Sequence, residues 1–344
     1  MSEQASHATA AFPAGSADRL IALAARAPSV LNTQPWLFRV TRYRIELFAD
    51  QSRRLRGDAP GREMLISCGA ALFGLRLAIR SIGYQPVVRL LPDIDQPRLL
   101  AEVRLGVPRA VTAGERAMIG ALPRRHTHRG PFAVDPLPPG LLIGLQHDAV
   151  AERAALALID RPTQLAQLAT LVGRATRSHA ADEFARADVR QWARPPGSTA
   201  RDGVPAAAIA AAVGGPGRLM RRNMDPGGLL AQAVAAGPPP AATAVLLTPG
   251  DTRADWLRAG QALHRMLVHA AASWVFADIF SQPFEIASAR ELIRSRLALP
   301  GAPQLILQLG MARSARSTAR RPAAELIKPR TREPEFAPAA AGVG

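Results

Sequence analysis

The chain has 344 residues, and 48% of them are hydrophobic, which allows a sizeable core and argues against global disorder. It has a single cysteine, which excludes an internal disulfide and a cysteine-rich metal site. Its net charge of +16 suggests nucleic acid, but the arginines are spread along the chain and aromatic residues make up only 5%, so a basic stripe interleaved with aromatics is missing. Because neither a secretory signal nor an uninterrupted membrane span is recognisable, we expect a cytoplasmic protein with no nucleic-acid or membrane partner.

The first third of the chain predicts two helices and three strands. Residues 1–16 are small and polar and are expected to be disordered. Residues 42–47 alternate, with Tyr43, Ile45 and Leu47 on one face, as is typical of a half-buried strand. Residues 63–82 have an apolar helical face and end before Gly83, a residue that favours helix termination. The predicted ranges are helices at 18–26 and 63–82 and strands at 42–47, 87–91 and 99–105.

The rest of the chain predicts regular elements around one long irregular segment. Helices are predicted at 114–122 and 163–192, and strands at 155–159, 243–247 and 304–309. A long helix is predicted over "DWLRAGQALHRMLVHAAASWVFA" at 255–277, begun by a capping box between Thr252 and Asp255. Residues 193–242 are rich in Pro, Gly and Ala, which suggests a lid, an insertion or partial disorder.

Two helical stretches resemble each other. The stretches "CGAALFGLRLAIRS" at 68–81 and "AGQALHRMLVHAAA" at 259–272 match in their placement of Gly, Ala and Leu, and each is followed by a strand that ends in Leu-Gly. The identity is low enough for chance, but the order of elements favours a duplication. Two related units in one chain would bury a face that a single unit leaves open, as a homodimer does.

The stretch "RRHTHR" at 124–129 carries a candidate anion site. Arg125, Thr127 and Arg129 alternate, so in an extended segment they point the same way. Two guanidinium groups that flank a hydroxyl would bind phosphate oxygens, because arginine forks bind them bidentately. The alternative is a solvated basic turn. His126 and His128 have no cysteine or third histidine nearby, so we predict no metal here.

The stretch "APSVLNTQPW" at 27–36 offers hydroxyl, amide and backbone groups between two prolines. Such groups can bind the edge of a heterocycle, where carbonyl oxygens and ring nitrogens alternate. The alternative is a proline-bracketed turn in which Ser29 only bonds to the local backbone.

Together these two stretches resemble the FMN-dependent nitroreductase superfamily. The loop is similar to its P-S-x-x-N-x-Q-P-W flavin-edge loop, and "RRHTHR" is similar to its R-x-S/T-x-R phosphate motif. Here the loop precedes the phosphate motif, the inverse of the ordinary order. This inversion and the internal similarity resemble the Acg-type flavoproteins, which are fused pseudo-dimers with one FMN site. The resemblance covers residues 18–328 and is weakest over 193–242.

The resemblance implies an α+β, nitroreductase-like fold of two related α/β units fused in one chain, with antiparallel central sheets flanked by helices. It implies a degenerate first unit at 17–120, a second unit at 121–328 with a lid-like insertion near 193–242, and a flexible tail at 329–344. We therefore expect a monomer that acts as an internal pseudo-dimer.

The resemblance also implies the residues that would bind FMN, and it assigns no catalytic side chain. Leu31 and His128 stand where Acg-type chains often have histidine and asparagine, which could alter the pocket. The implied residues are Arg125, Thr127 and Arg129 at the phosphate, with Arg320 and Arg321 also reaching it; Pro28, Ser29, Asn32 and Gln34 in the flavin-edge loop; and Gln282, Pro283 and Glu285 beside the reactive N5.

The implied function is an FMN-binding oxidoreductase that passes hydride from NAD(P)H through the flavin to a nitroaromatic, a quinone or a similar small acceptor. The alternative is an FMN-sequestering or storage protein with a closed lid and little turnover. Residues 193–242 distinguish the two, because a segment packed over the ring favours storage and a cleft above N5 favours catalysis.

Overall fold

Two four-stranded antiparallel sheets organise the computed structural model, which describes residues 10–129, 131–208, 219–224, 238–313 and 318–329. The helices are α1 (Ser16–Ala24), α2 (Arg62–Ser81), α3 (Ala113–Ala121), α4 (Leu141–Ala151), α5 (Pro162–Ala181), α6 (Glu183–Trp192), α7 (Arg253–Ala272), α8 (Gln282–Glu285), α9 (Ala287–Arg296) and α10 (Ala323–Leu326). The strands are β1 (Trp36–Val40), β2 (Ile45–Ala49), β3 (Tyr84–Leu90), β4 (Leu99–Pro108), β5 (Ala155–Leu158), β6 (Ala193–Arg194), β7 (Val204–Pro205), β8 (Ala242–Thr248), β9 (Val275–Phe280) and β10 (Ala302–Met311).

The two large sheets share one topology. Their strand orders are β1-β2-β4-β3 and β5-β8-β10-β9, and in each case two strands precede a central helix of 20 residues and two strands follow it. The predicted α+β fold of two related units is therefore confirmed. The units differ in one connection: a tight turn joins β1 to β2, whereas residues 159–241 join β5 to β8. The unit limits 17–120 and 121–328 each enclose one sheet and stay a prediction.

The central helices α2 and α7 pack together through two glycines. Gly69 and Gly260 hold equivalent positions in the similar stretches at 68–81 and 259–272. A Cβ atom on Gly260 would overlap the carbonyl oxygen of Ile66, and one on Gly69 would overlap that of Leu257, so only glycine permits this approach. Helix α2 is apolar and long enough to cross a membrane, but 89% of its apolar window is buried, as in a core helix.

Helix α7 begins as predicted but ends earlier. Thr252 Oγ1 accepts a hydrogen bond from the Asp255 backbone N–H (3.3 Å), and Asp255 Oδ2 accepts one from the Thr252 N–H (3.1 Å). The predicted continuation to residue 277 is wrong: Trp274 turns to a positive φ of 58°, and Val275–Phe280 forms β9. The aromatic and β-branched run Val275–Phe280 pairs with β10, so sheet pairing prevails over the helical pattern.

Several other elements differ from the sequence predictions. The strand predicted at 42–47 begins at Ile45, because residues 41–44 form the hairpin turn to β1, an unpredicted strand. The helix predicted at 163–192 is two helices, because Asp182 leaves the helical conformation and caps α6 by accepting from the Ala185 N–H (2.7 Å). Helices α4 and α9 were also not predicted.

The ends of the chain are only partly described. Residues 10–16 belong to the segment expected to be disordered, yet Ala10 pairs with Leu105 and the Phe12 N–H donates to the Arg42 carbonyl (2.9 Å). The expectation is wrong for these residues, which gain backbone hydrogen bonds from the first unit. Residues 1–9 and almost all of the predicted tail at 329–344 lie outside the described residues.

Candidate functional site

A cavity of about 840 Å³, measured with its opening to solvent, lies between the two units. The first unit contributes the loop at 28–31 and the start of α2, and the second contributes Thr127, Arg129 and the end of β9. The inserted connection contributes Arg221, Arg222 and Met224. Neither unit encloses this cavity alone.

The loop at 28–36 is held in an unusual backbone conformation. Leu31, Asn32 and Gln34 have positive φ angles of 48°, 54° and 51°, which cost roughly 1–2 kcal/mol each for Leu31 and Gln34 and less for asparagine. Ser29 Oγ accepts a hydrogen bond from the Gln34 N–H (3.0 Å), and Thr33 Oγ1 donates to the Val30 carbonyl (3.0 Å). These side chains fix a loop that the backbone alone does not favour.

The side chains of this loop divide into two groups. Pro28, Ser29 and Leu31 line the cavity. Asn32 Nδ2 instead donates to the Gly203 carbonyl (2.9 Å) and the Ala319 carbonyl (3.3 Å). Both amide side chains of this loop, Asn32 and Gln34, therefore bind neighbouring segments of this chain.

Gln34 connects the loop to the insertion and to the C-terminal segment. Its Nε2 donates to the Arg201 carbonyl (2.8 Å), and its Oε1 accepts from the Arg321 N–H (2.9 Å). The Arg321 guanidinium turns away, with Nε 3.3 Å from Glu325 Oε2. Of the predicted C-terminal pair, only Arg320 lies with the other cationic groups of the site.

Three arginines, Arg26, Arg125 and Arg320, form a cationic cluster beside the cavity, and Arg125 is its buried member. Arg125 is 4% exposed, and its Nε donates to the Arg26 carbonyl (3.2 Å). Arg320 Nη2 donates to the Ala27 carbonyl (3.1 Å), directly before Pro28 of the cavity wall. Burial, with repulsion from Arg320 and Arg26, holds the pKa of Arg125 well below its usual range, and burial lowers the pKa of Arg320 to about 10.

Buried polar atoms of this cluster have no hydrogen-bond partner in the described part of the chain. They are Arg125 Nη1, Arg320 Nε and His264 Nε2. His264 Nδ1 lies 2.7 Å from the Ala70 carbonyl oxygen, and burial lowers its pKa to about 3, so this imidazole is neutral. Buried N–H groups are normally satisfied, and buried cations are normally paired. The unpartnered N–H groups of Arg125 and Arg320 therefore fit an anion with several oxygens, such as a phosphate ester, whereas Nε2 of the neutral His264 ring is an acceptor.

Arg129 lies in different surroundings from Arg125. Thr127 pairs with Ala277 of β9, and both Thr127 and Arg129 line the cavity. The groups that influence the pKa of Arg129, after burial, are Asp278, Arg221 and Arg222, whereas Arg125 faces Arg26 and Arg320. Arg125 and Arg129 therefore face different charged neighbours, and the joint binding of a phosphate by Arg125, Thr127 and Arg129 stays a prediction.

The two histidines of the motif pack into the apolar interior. The His126 ring lies 4.3 Å from the Phe276 ring, and the His128 ring lies 5.0 Å from the Phe132 ring. Burial lowers the pKa of both, that of His126 to about 4. They are therefore neutral packing residues near pH 7.

The segment "SQPFE" at 281–285 holds the insertion against the second unit. Glu285 pairs with Arg222 and lies 2.6 Å from His179 Nε2, contacts that lower the pKa of Glu285 to about 2 against the effect of burial. Gln282 lines the cavity and donates from Nε2 to the Met220 carbonyl (3.2 Å). Pro283 is buried in α8. Only Gln282 of the three predicted residues in this segment therefore lines the cavity.

Five residues of the site were not identified from the sequence: Arg26, Glu63, Arg221, Arg222 and His264. Arg221 pairs with Asp278 (2.5 Å), so the insertion places two arginines in the cavity wall. The doublet Arg221-Arg222 was a visible signal inside an otherwise Pro-, Gly- and Ala-rich segment. Nothing local distinguishes Arg26 or His264, whose role depends on their neighbours.

The chain is similar to three proteins of Mycobacterium tuberculosis strain H37Rv, although no family model matches it. "Putative NAD(P)H nitroreductase Rv3131" is 33% identical over 302 residues, which cover 85% of this chain and 84% of that protein. "Putative NAD(P)H nitroreductase acg" is 27% identical over 320 residues, covering 91% and 95% of the two chains. "Uncharacterized protein Rv3127" is 28% identical over 297 residues, covering 85% and 86%.

Solved structures give weaker matches. A nitroreductase with bound FMN from Desulfitobacterium hafniense matches with a TM-score of 0.40 at 12% identity, covering 62% of this chain and 98% of that chain. One from Bacteroides fragilis matches with a TM-score of 0.36 at 10% identity, covering 59% and 93%. The family assignment therefore depends on the sequence relatives, and the fold assignment on the strand orders.

Proposed function

This chain belongs to the NAD(P)H nitroreductase family of its mycobacterial relatives, and on that premise we propose that it is an FMN-dependent oxidoreductase. It takes reducing equivalents from NAD(P)H and passes them to a small acceptor such as a nitroaromatic or a quinone. The observation that carries the proposal is the cluster of Arg26, Arg125 and Arg320, which no acidic side chain of the described residues neutralises, next to a cavity that residues of both units line. The cytoplasmic location and the monomeric state stay predictions of the sequence.

Arg125 and Arg320 would hold the FMN phosphate. Each has a buried N–H without a partner among the described residues, and hydrogen bonds between charged groups are the strong ones in proteins. Arg26 adds positive charge, and His264, neutral in this environment, can accept a proton once an anion lies beside it. Thr127 also lines the cavity, and its hydroxyl would donate to the same ligand.

The remaining residues orient the ligand or support those that do. Bound FMN supplies the hydride chemistry, and the chain supplies position and charge. Pro28, Ser29 and Gln282 line the cavity and would contact the ring, while the Arg129 cation would stabilise negative charge on it. Asn32, Gln34, Pro283, Glu285 and Arg321 act as positioning residues, because their contacts hold the loop, the insertion and the C-terminal segment together.

Anaerobic addition of NADH or NADPH to the purified yellow protein tests this proposal. Rapid loss of the flavin absorbance at one equivalent of nucleotide is the expected result. Storage is the second candidate, because Arg221 and Arg222 of the insertion are ion-paired into the cavity wall and restrict it. Flavin that binds but stays oxidised would favour storage. A colourless protein that takes up no added FMN would refute both.

A further inference from the structure

Glu63 is an acidic side chain in the cavity wall that the family resemblance does not include. It lies in the first turn of α2 and lines the cavity with Ile66 and Ser67 of the same helix. The residue is 3% exposed, and its Oε1 accepts a hydrogen bond from Arg62 Nη1 (2.5 Å). From the described part of the chain, no other hydrogen bond reaches this carboxylate.

Arg62 is fixed in place and shared among several acceptors. It is 2% exposed, and its Nη2 donates to both the backbone oxygen (2.7 Å) and Oε1 (2.6 Å) of Gln304. The charge that neutralises Glu63 is therefore held rigidly beside it whether or not the carboxyl carries a proton. A carboxylate in the first turn of α2 also gains from the helix dipole.

Burial is the main influence on the protonation of Glu63. The charged groups around it come from five segments of the chain: Arg62 in α2, Arg290 in α9, Asp58 before α2, Glu285 in α8, and Arg222 in the insertion. Burial and the two neighbouring carboxylates outweigh Arg62 and Arg222, and they raise the pKa of Glu63 from 4.5 to about 7. A general acid is most effective when its pKa lies near the working pH.

The other polar groups of the cavity wall cannot supply a proton at neutral pH. Arg129, Arg221 and Arg222 are arginines, whose cations do not deprotonate in proteins. Asp278 is paired with Arg221, and the side chains of Ser29, Thr127 and Ser281 are hydroxyls. Of the described residues in this wall, Glu63 alone is an acid that both holds and can release a proton.

We propose that Glu63 donates a proton to the oxygen atom of the acceptor that is reduced in this cavity, an inference that rests on the proposed function. A quinone that gains a hydride equivalent from NAD(P)H carries the added electron pair as negative charge on one oxygen. The Glu63 O–H bond breaks, the proton forms a new O–H bond on that oxygen, and the hydroquinone is complete. The Glu63 carboxylate remains beside Arg62 and regains a proton from solvent.

The experiment compares Glu63→Gln with wild type using two acceptors, benzoquinone and ferricyanide. Benzoquinone needs a proton to become hydroquinone, whereas ferricyanide accepts electrons without one. General acid catalysis contributes roughly 10²–10⁴-fold, so we expect benzoquinone turnover by E63Q to fall about 100-fold or more. Ferricyanide turnover, the FMN content and anaerobic bleaching by NAD(P)H should stay within a factor of two or so of wild type.

Infrared difference spectroscopy gives a readout that does not depend on turnover. The wild type should show a protonated carboxyl band that disappears as the pH rises through about 7, and E63Q should lack it. The benzoquinone rate of the wild type should fall over the same pH interval, and that of E63Q should not. Glu102→Gln is the matched control, because Glu102 lies in β4 next to Arg104, outside the cavity wall.

The outcomes separate this inference from the proposed function. Loss of benzoquinone turnover with ferricyanide turnover retained supports Glu63 as the proton donor. Flavin-loaded E63Q that reduces both acceptors like the wild type, or loses both equally, overturns the inference alone. A wild-type protein that binds no FMN overturns the proposed function and the inference together.

Discussion

Replacing Arg125 by methionine should weaken FMN binding without weakening the fold. The Nη1 atom of Arg125 is buried and has no partner among the described residues, so a phosphate oxygen would give this nitrogen its first hydrogen bond. A hydrogen bond to a charged group contributes about 1.5–3 kcal/mol, which corresponds to a roughly 10- to 150-fold rise in Kd. Methionine keeps a long apolar side chain in the same space.

The same change should leave the apoprotein as stable as wild type or more stable. The Arg125 cation lies beside Arg26 and Arg320, and burial already lowers its pKa well below the usual range. Replacing buried ionic groups by apolar side chains is often neutral or stabilising by about 1–4 kcal/mol. The hydrogen bond from Arg125 Nε to the Arg26 carbonyl is lost, at a cost of about 1 kcal/mol.

Arg124→Met is the matched control for this substitution. Arg124 Nε donates to the Ala271 carbonyl at the end of α7 (2.9 Å), and its guanidinium lies over the Trp274 ring. We expect this variant to lose about 1 kcal/mol of stability and to bind FMN like the wild type. Substitution of Arg125 should thus weaken FMN binding and spare stability, whereas substitution of the adjacent Arg124 should lower stability and spare FMN binding.

Two measurements check the prediction. Quenching of flavin fluorescence gives the Kd of each apoprotein for FMN, and urea unfolding followed by tryptophan fluorescence gives the free energy of unfolding without ligand. If R125M binds FMN as tightly as R124M, the arginine cluster does not hold the phosphate. If apo R125M is several kcal/mol less stable than the wild type, the cluster is not an unneutralised cationic site.

Two further predictions concern the helix contact and the insertion. Gly260→Ala should lower the free energy of unfolding in urea by about 1–3 kcal/mol or more, because its Cβ would overlap the Ile66 carbonyl. Gly114→Ala is the control, because open space surrounds Gly114, and it should change this free energy little. Equal stability of the two variants would contradict the close approach of α2 and α7. Glu285, whose folded pKa of about 2 lies below the ordinary 4.5, contributes stability above pH 4.5 that is lost as the pH falls toward 2. As the pH is lowered across this range, the Tm should fall less steeply for Glu285→Gln than for the wild type. An identical dependence of Tm on pH would show that the pair with Arg222 does not stabilise the fold.

Sequence periodicity determined much of the fold because most elements carry their own local signal. The stretches at 68–81 and 259–272 show the helical face and the shared glycine that the packing of α2 and α7 requires. Thr252 and Asp255 identify the start of α7, since capping depends on residues three positions apart. The duplication was indicated by these two similar stretches and by the order of elements, and the two sheets share the strand order that it predicts.

Elements without a distinctive period were decided by tertiary contacts. The run at 275–280 follows a helix directly and is almost entirely buried, so its pattern does not distinguish helix from strand. Pairing with β10 makes it a strand, and that partner, Ala302–Met311, lies beyond α8 and α9 along the chain. Asp182 likewise divides a continuous helical pattern, because its side chain caps the following helix.

The candidate site divides in the same way. Local composition identified "APSVLNTQPW" and "RRHTHR", because polar side chains between prolines and alternating arginines can be recognised within a few residues. Only the folded chain brings Arg26, Arg125 and Arg320 together across nearly three hundred residues, and only burial raises the pKa of Glu63 to about 7. Desolvation and the sum of distant charges depend on three-dimensional proximity, which no local pattern of residues encodes.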